Sequence, residues 1–242
     1  MKCKLCNEEK KLIKKSHVIP DFFFKSLYNE HGRLIKFDAV KMFNGIKEKP
    51  STPPSSTYEQ FVFCAKCDNE IINRYESYYA KKIFHGTDFT KKVFSEPNKI
   101  NHYEYYNLDY DLGNIFFLTL LWRANLSDRQ GFKDVNLTPE ITESIRVQIL
   151  SGKYDENLVR VTAIKLSENS DFKRSVGQFK KIESYYSIIL RDLIVFFHFK
   201  YDGIYSFSKN HGIDKNGKWI LPEIPKSMEG KFILSYISPK KT

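Results

Sequence analysis

Cys3-Lys4-Leu5-Cys6 and Cys64-Ala65-Lys66-Cys67 are the two stretches on which the reading of this chain turns. They hold all four of its cysteines. A Cys-x-x-Cys knuckle aims two thiolates at one centre, and two knuckles complete the tetrahedron that zinc prefers. The alternatives are a pair of disulfides or four buried thiols. Disulfides between residues three apart are strained and mostly redox-active, and nothing in the chain suggests export. The spacing therefore predicts one structural zinc shared by Cys3, Cys6, Cys64 and Cys67.

Working outward, a basic stretch after the first knuckle leads into Leu12-Ile13-Lys14-Lys15-Ser16-His17-Val18-Ile19-Pro20. Phe61-Val62-Phe63 reads as a short strand feeding the second knuckle. Asp68 to Glu76 reads as a helix, with polar and apolar positions at helical spacing and no breaker. Asp68 lies at its front, where the helix dipole favours an anion. Asn69, Asn73 and Glu76 stand at i, i+4 and i+7, a face that either carries ligands or is merely solvated. A zinc-pinned ββα unit would carry His17 on its strand close to the first turn of that helix. Between the knuckles, Asp21 to Glu30 is expected as an inserted helix and Lys47 to Thr57, with its Pro and Ser cluster, as a loop.

In these residues the chain resembles the HNH endonuclease family, in its zinc-stapled form with two Cys pairs. Ser16-His17-Val18-Ile19-Pro20 matches the family's His segment, and Cys64-Ala65-Lys66-Cys67-Asp68-Asn69 matches its second knuckle and helix start. The resemblance covers residues 1–82. It implies a treble-clef-like ββα module in which His17 is the general base and the start of the helix holds a catalytic Mg²⁺ or Mn²⁺. Asp68 would be the cation ligand, with Asn69, Asn73 and Glu76 behind it. The family commonly has an acid before the base, where this chain has Ser16. The family's middle Asn would be Asn29 or Asn44, which the sequence does not separate.

The chain has 242 residues and a net charge of +10. Residues 1–50 hold twelve Lys and Arg against six Asp and Glu, so much of the excess sits with the first knuckle and His17. Such a cationic surface is the footprint of phosphate-backbone binding, and its bland counterpart is a solvated lysine-rich face. The expected partner is nucleic acid, DNA before RNA. The longest apolar run, Ile115 to Trp122, is far short of the roughly 20 residues a membrane span needs. With Cys3 already in the knuckle and no leader ahead of it, the expectation is a soluble, cytoplasmic protein.

Residues 83–242 read as a second, α+β domain of unnamed role, helices packed on an antiparallel sheet. Asp111 to Asn125 is apolar almost all round, hence a buried central helix. Thr138 caps the next helix, with Pro139 in its first turn and Gly152 past its end. Val159 to Leu166, Tyr185 to Leu190, Leu193 to Lys200 and Lys231 to Ile237 read as strands, with Asp202-Gly203 as a hairpin turn. His198 is expected as a half-buried strand residue and His211 as a turn residue. Arg123 is read as capping helix carbonyls or pairing with an acid, and the tyrosines at 103, 105, 106 and 110 as packing.

Two functions from different classes fit these residues. One is an HNH-like, metal-dependent endonuclease that hydrolyses phosphodiesters, with His17 as base and Asp68 and Asn69 at the cation; restriction or phage defence would suit it by analogy. The other is a non-catalytic zinc module that binds nucleic acid or protein, in which His17 only braces the fold.

Overall fold

The computed structural model describes residues 1–28, 30–31, 58–86, 90–93, 101–170, 172–173, 175–182, 185–199 and 211–230. Near the first knuckle two very short strands, β1 (Ser16–His17) and β2 (Tyr58–Glu59), pair antiparallel, Ser16 against Glu59 and His17 against Tyr58. A bridge between Leu12 and Cys64 continues the contact toward the second knuckle. Phe61, expected within a strand, instead has φ of 55°, so the extended chain breaks there and the paired residues lie before it.

From the second knuckle the chain enters one unbroken helix, here α1. It comprises a π-type segment Cys67–Ile72, an α segment Asn73–Tyr79 and a second π-type segment Ala80–Phe84. Among the described residues the expected helix over 21–30 does not form: two 3₁₀ turns, Asp21–Phe23 and Lys25–Leu27, stand there and Tyr28 is extended. The cause is the run Phe22-Phe23-Phe24. Phe23 and Phe24 are buried, and Phe22 lies against Phe84 and Phe116, so tight turns that aim successive rings at the core replace a regular helix. Asn29, Asn44 and the loop at 47–57 lie outside the described residues.

The remainder is α+β. Strands β3 (Thr90–Val93) and β4 (His102–Tyr105) precede helix α2 (Tyr110–Asn125), which Asp109 caps by accepting the Leu112 N–H at 2.8 Å. Every residue of α2 from Gly113 to Ala124 is buried, which accounts for its lack of a polar face. Helix α3 (Pro139–Ser151) starts as its sequence directs: Thr138 Oγ1 accepts the Ile141 N–H, Pro139 occupies the first turn, and Gly152 closes the helix at φ 71°.

Strands β5 (Val159–Leu166), β6 (Lys180–Ile182), β7 (Tyr185–Leu190), β8 (Leu193–Phe199) and β9 (Trp219–Ile224) complete a sheet ordered β3-β4-β9-β5-β8-β7-β6. Its pairings are antiparallel except β5 with β9, which run parallel through Lys165–Glu223 and Leu166–Ile224. The sheet is therefore mixed, which corrects the expected antiparallel one. Val159, Val161, Ala163, Val195 and Phe197 face the main core, while Ile164, Leu166, Ile189 and Ile194 build a smaller cluster with Phe172. Burial on both faces explains the nearly continuous apolar run of β8. The strand expected at 231–237 and the turn at Asp202-Gly203 lie outside the described residues.

The two Cys-x-x-Cys knuckles and the sheet share one apolar core that runs from Cys3 to Leu221. Phe63 stacks on Trp122 with ring centroids 5.7 Å apart, and Tyr79 on Phe116 at 4.0 Å. Such aromatic pairs contribute about 0.5–1.5 kcal/mol beyond the area they bury. The Tyr75 hydroxyl donates to the Ile149 carbonyl at 2.7 Å, which ties α1 to α3. No helix among the described residues is long and apolar enough to cross a membrane.

Candidate metal centre and the His17 site

Each knuckle is shaped by its backbone. In the first, Lys2 bridges Glu9, the Cys3 N–H donates to the Glu8 carbonyl and the Asn7 N–H to the Cys3 carbonyl. Asn7 takes φ of 61°, a left-handed turn that asparagine tolerates better than most residues. The second knuckle is the end of the Leu12–Cys64 bridge joined to the start of α1, where the Asp68 N–H donates to the Cys64 carbonyl at 3.1 Å. Arg146 of α3 reaches across to the first: its Nη1 donates to the Leu5 carbonyl at 2.6 Å, while its other nitrogens hold Glu143.

The result is four Sγ atoms within 4.8 Å of one another, from Cys3, Cys6, Cys64 and Cys67. A tetrahedral ion with sulfur arms of about 2.3 Å needs edges of about 3.8 Å, so the cluster fits with small adjustment. All four are free thiols rather than disulfides. The Cys64 N–H points at Cys3 Sγ from 3.3 Å. Burial acts to raise the Cys3 thiol, but N–H groups of Cys6, Cys64 and Leu5 outweigh it and hold the pKa down to about 7. Burial pushes Cys6 and Cys67 upward. A cation among them would reverse that rise, because thiolates are the form that binds metal. These cysteines lie close enough to bind a metal ion, and an all-sulfur set suits one such as zinc.

Next to this centre, Ser16 is buried and its hydroxyl donates to Asp68 Oδ1 at 2.5 Å. The structure thus joins the residue before His17 directly to the first turn of α1. His17 itself is half-buried, and among the described residues its imidazole has no hydrogen-bond or ion-pair partner. Its backbone is fixed from elsewhere: Arg123 of α2, only 3% exposed, donates Nη1 to the His17 carbonyl at 2.5 Å. The same nitrogen lies 2.7 Å from Glu76 Oε1, and Nε donates to the Thr119 carbonyl at 3.2 Å. Arg123 therefore both pairs with an acid and bonds a carbonyl of its own helix.

Asn69 and Asn73 are exposed, whereas Glu76 turns inward to Arg123. The three do not share the single face expected of an α-helix. The π-type segment Cys67–Ile72 bonds i to i+5, puts more residues in each turn and shifts the register of the α segment beyond it. Asn69 makes no side-chain hydrogen bond among the described residues, and the Asn73 Oδ1 accepts the Ser77 hydroxyl.

Sequence reasoning missed a second group around β2. Tyr58, opposite His17, carries Lys15 Nζ 4.7 Å and the Arg129 guanidinium 4.9 Å from its ring centre. Arg129 also pairs with Glu59 at 3.2 Å, and the Ser127 hydroxyl donates to the same carboxylate. The only signal was the β1–β2 pairing, which a chain broken by a long insertion does not announce. No family model, no curated protein and no solved structure matches the chain.

Proposed function

We propose that the chain is a metal-dependent endonuclease of HNH type, with zinc held by Cys3, Cys6, Cys64 and Cys67 and with His17 as general base. The observation that carries the reading is the contrast at His17. Its carbonyl is held by Arg123 and its neighbour Ser16 by Asp68, while the ring is half-exposed and has no partner among the described residues. A histidine that braces a fold uses its ring to do so. Here the backbone is braced and the ring is available to take a proton from an attacking water.

Asp68 places one carboxylate oxygen on Ser16, and its other oxygen would be the one to hold a cation. An acid at position 16 would sit at hydrogen-bond distance from Asp68, so serine there avoids two facing anions, and the helix start supplies the carboxylate. A Mg²⁺ or Mn²⁺ ion, when bound, would supply electrophilic stabilisation of the phosphate and leaving oxygen. Lys15 and Arg129, both packed on the Tyr58 ring, offer positive charge to a phosphodiester beside His17. The substrate class is nucleic acid, DNA before RNA, and a restriction or phage-defence role fits by analogy.

A non-catalytic zinc module is the second reading, favoured by the engagement of both nearby acids, Asp68 with Ser16 and Glu76 with Arg123. His17→Ala separates the two. It should keep metal content and nucleic-acid affinity and lower Mg²⁺- or Mn²⁺-dependent cleavage by about 10²–10⁴-fold. Unchanged cleavage in the folded variant removes His17 from the chemistry. Wild-type protein that binds yet never cuts with any divalent ion makes the second reading the better one.

A further inference from the structure

On the ribbon that carries His17, the chain holds an aromatic ring out into solvent against its own interest. Phe61 is 45% exposed and sits at φ 55°, a left-handed conformation that is unfavourable for a residue with a Cβ. The position is fixed rather than loose: the Phe61 N–H donates to the Ile13 carbonyl at 3.0 Å, and the Ile13 N–H to the Phe63 carbonyl at 2.8 Å. Phe63, two residues on, is buried, so the segment separates one ring for the core from one for the surface.

Phe61 forms one wall of an open depression of about 580 Å³, with Met1, Lys10, Lys11, Leu12 and Lys14 around it. Lys10 is held by Glu8 at 2.6 Å, and Glu9, which also lines the depression, by the amino group of Met1 at 2.8 Å. Lys11 and Lys14 are exposed and have no acidic partner among the described residues. An apolar ring face beside two uncommitted ammonium groups matches a base and its flanking phosphates. From Lys14 to His17 is three residues, at most about 11 Å of chain, so a nucleic-acid strand seated here lies within a few nucleotides of His17.

We infer that Phe61, with Lys11 and Lys14, is a stacking site for an unpaired base, and that the chain engages single-stranded nucleic acid or a single-stranded segment of it. A duplex hides its base faces in the stack, and one solvent-facing ring gains most from a base that is free on one side. The inference deepens the nuclease reading by naming the substrate's form; it rests on the nucleic-acid part of that reading and is independent of cleavage.

The test is fluorescence anisotropy with labelled oligothymidylate and with a duplex, without added Mg²⁺ or Mn²⁺, on full-length protein. Phe61→Ala should weaken single-strand binding by roughly 5- to 150-fold. Phe61→Trp should retain it, and the new exposed indole should be quenched by the oligonucleotide. Lys14→Glu should weaken binding and flatten the dependence of log affinity on log salt by about 0.7 for the lost phosphate contact. Unchanged metal content in each variant shows that the knuckles still form. Single-strand binding unaffected by Phe61→Ala would overturn the inference, as would equally tight binding of duplex, the mark of a ring wedged between paired bases. His17→Ala, which should stop cutting and leave this binding intact, keeps the two proposals separately refutable.

Discussion

Replacing Arg123 with methionine keeps much of the side chain's volume and removes its charge and all its donors. In the native structure the guanidinium is buried, 2.7 Å from Glu76 and 2.5 Å from the His17 carbonyl. With charge centres about 4 Å apart and an effective dielectric of about 20, the attraction to Glu76 is about 4 kcal/mol before the cost of desolvating both ions. Deleting one member of a fully buried pair typically costs about 3–5 kcal/mol, because the other charge is stranded. Glu76 is 21% exposed, so water relieves part of that, and about 2–4 kcal/mol is the expected loss, the freed His17 carbonyl included. The assay is urea unfolding of wild type, Arg123→Met, Glu76→Gln and the double variant, all loaded with metal. The double variant should be more stable than the sum of the singles implies, by about 1–3 kcal/mol. Additivity to within about 0.5 kcal/mol would refute the idea that this pair ties α1 to α2.

Arg146→Ala should weaken metal binding by about 10-fold, read by competition with a chromophoric chelator, because Arg146 fixes the Leu5 peptide beside Cys3; an unchanged affinity would show that the knuckle holds its shape unaided. His198 lies against Thr162 at 2.9 Å, and burial lowers its pKa to about 4. The unfolded chain takes up that proton near pH 6.5, so stability should fall as pH drops from 6.5 to 4, by about 3 kcal/mol in total. His198→Gln keeps a partner for Thr162 and should abolish that component, seen as a shallower decline of urea midpoints over the same window; parallel declines would count against it.

Local rules carried the sequence reading far where the chemistry is local. The Cys-x-x-Cys spacing put four sulfurs in one place, and Thr138, Pro139 and Gly152 marked both ends of α3. Where the reading failed, distant contacts had overruled short-range preference. Phe22 to Phe24 are helix-compatible alone, yet the rings of Tyr79, Phe84 and Phe116 draw them into tight turns. Strand β9 was missed because Pro222 lies inside it, which ordinarily demotes a segment. Its parallel pairing with β5 then made the sheet mixed. At the site, His17 and Asp68 were legible as candidates. The groups that hold them were not: Ser16 meets Asp68 across 52 residues and Arg123 meets His17 across 106.

The two knuckles are also far apart in time. Cys3 and Cys64 are 61 residues apart, and Arg146, which steadies Leu5, comes 141 residues after it. At ribosomal rates of about 5–20 residues per second, the first pair of thiols waits roughly 3–12 s for the second, and the knuckle waits roughly 7–28 s for its arginine. During that interval Cys3 and Cys6 are a bidentate thiol pair without a core around them, open to the wrong metal or to oxidation. The supply of ions and reductant during synthesis, as much as the finished fold, would then decide which ion the four thiols take up.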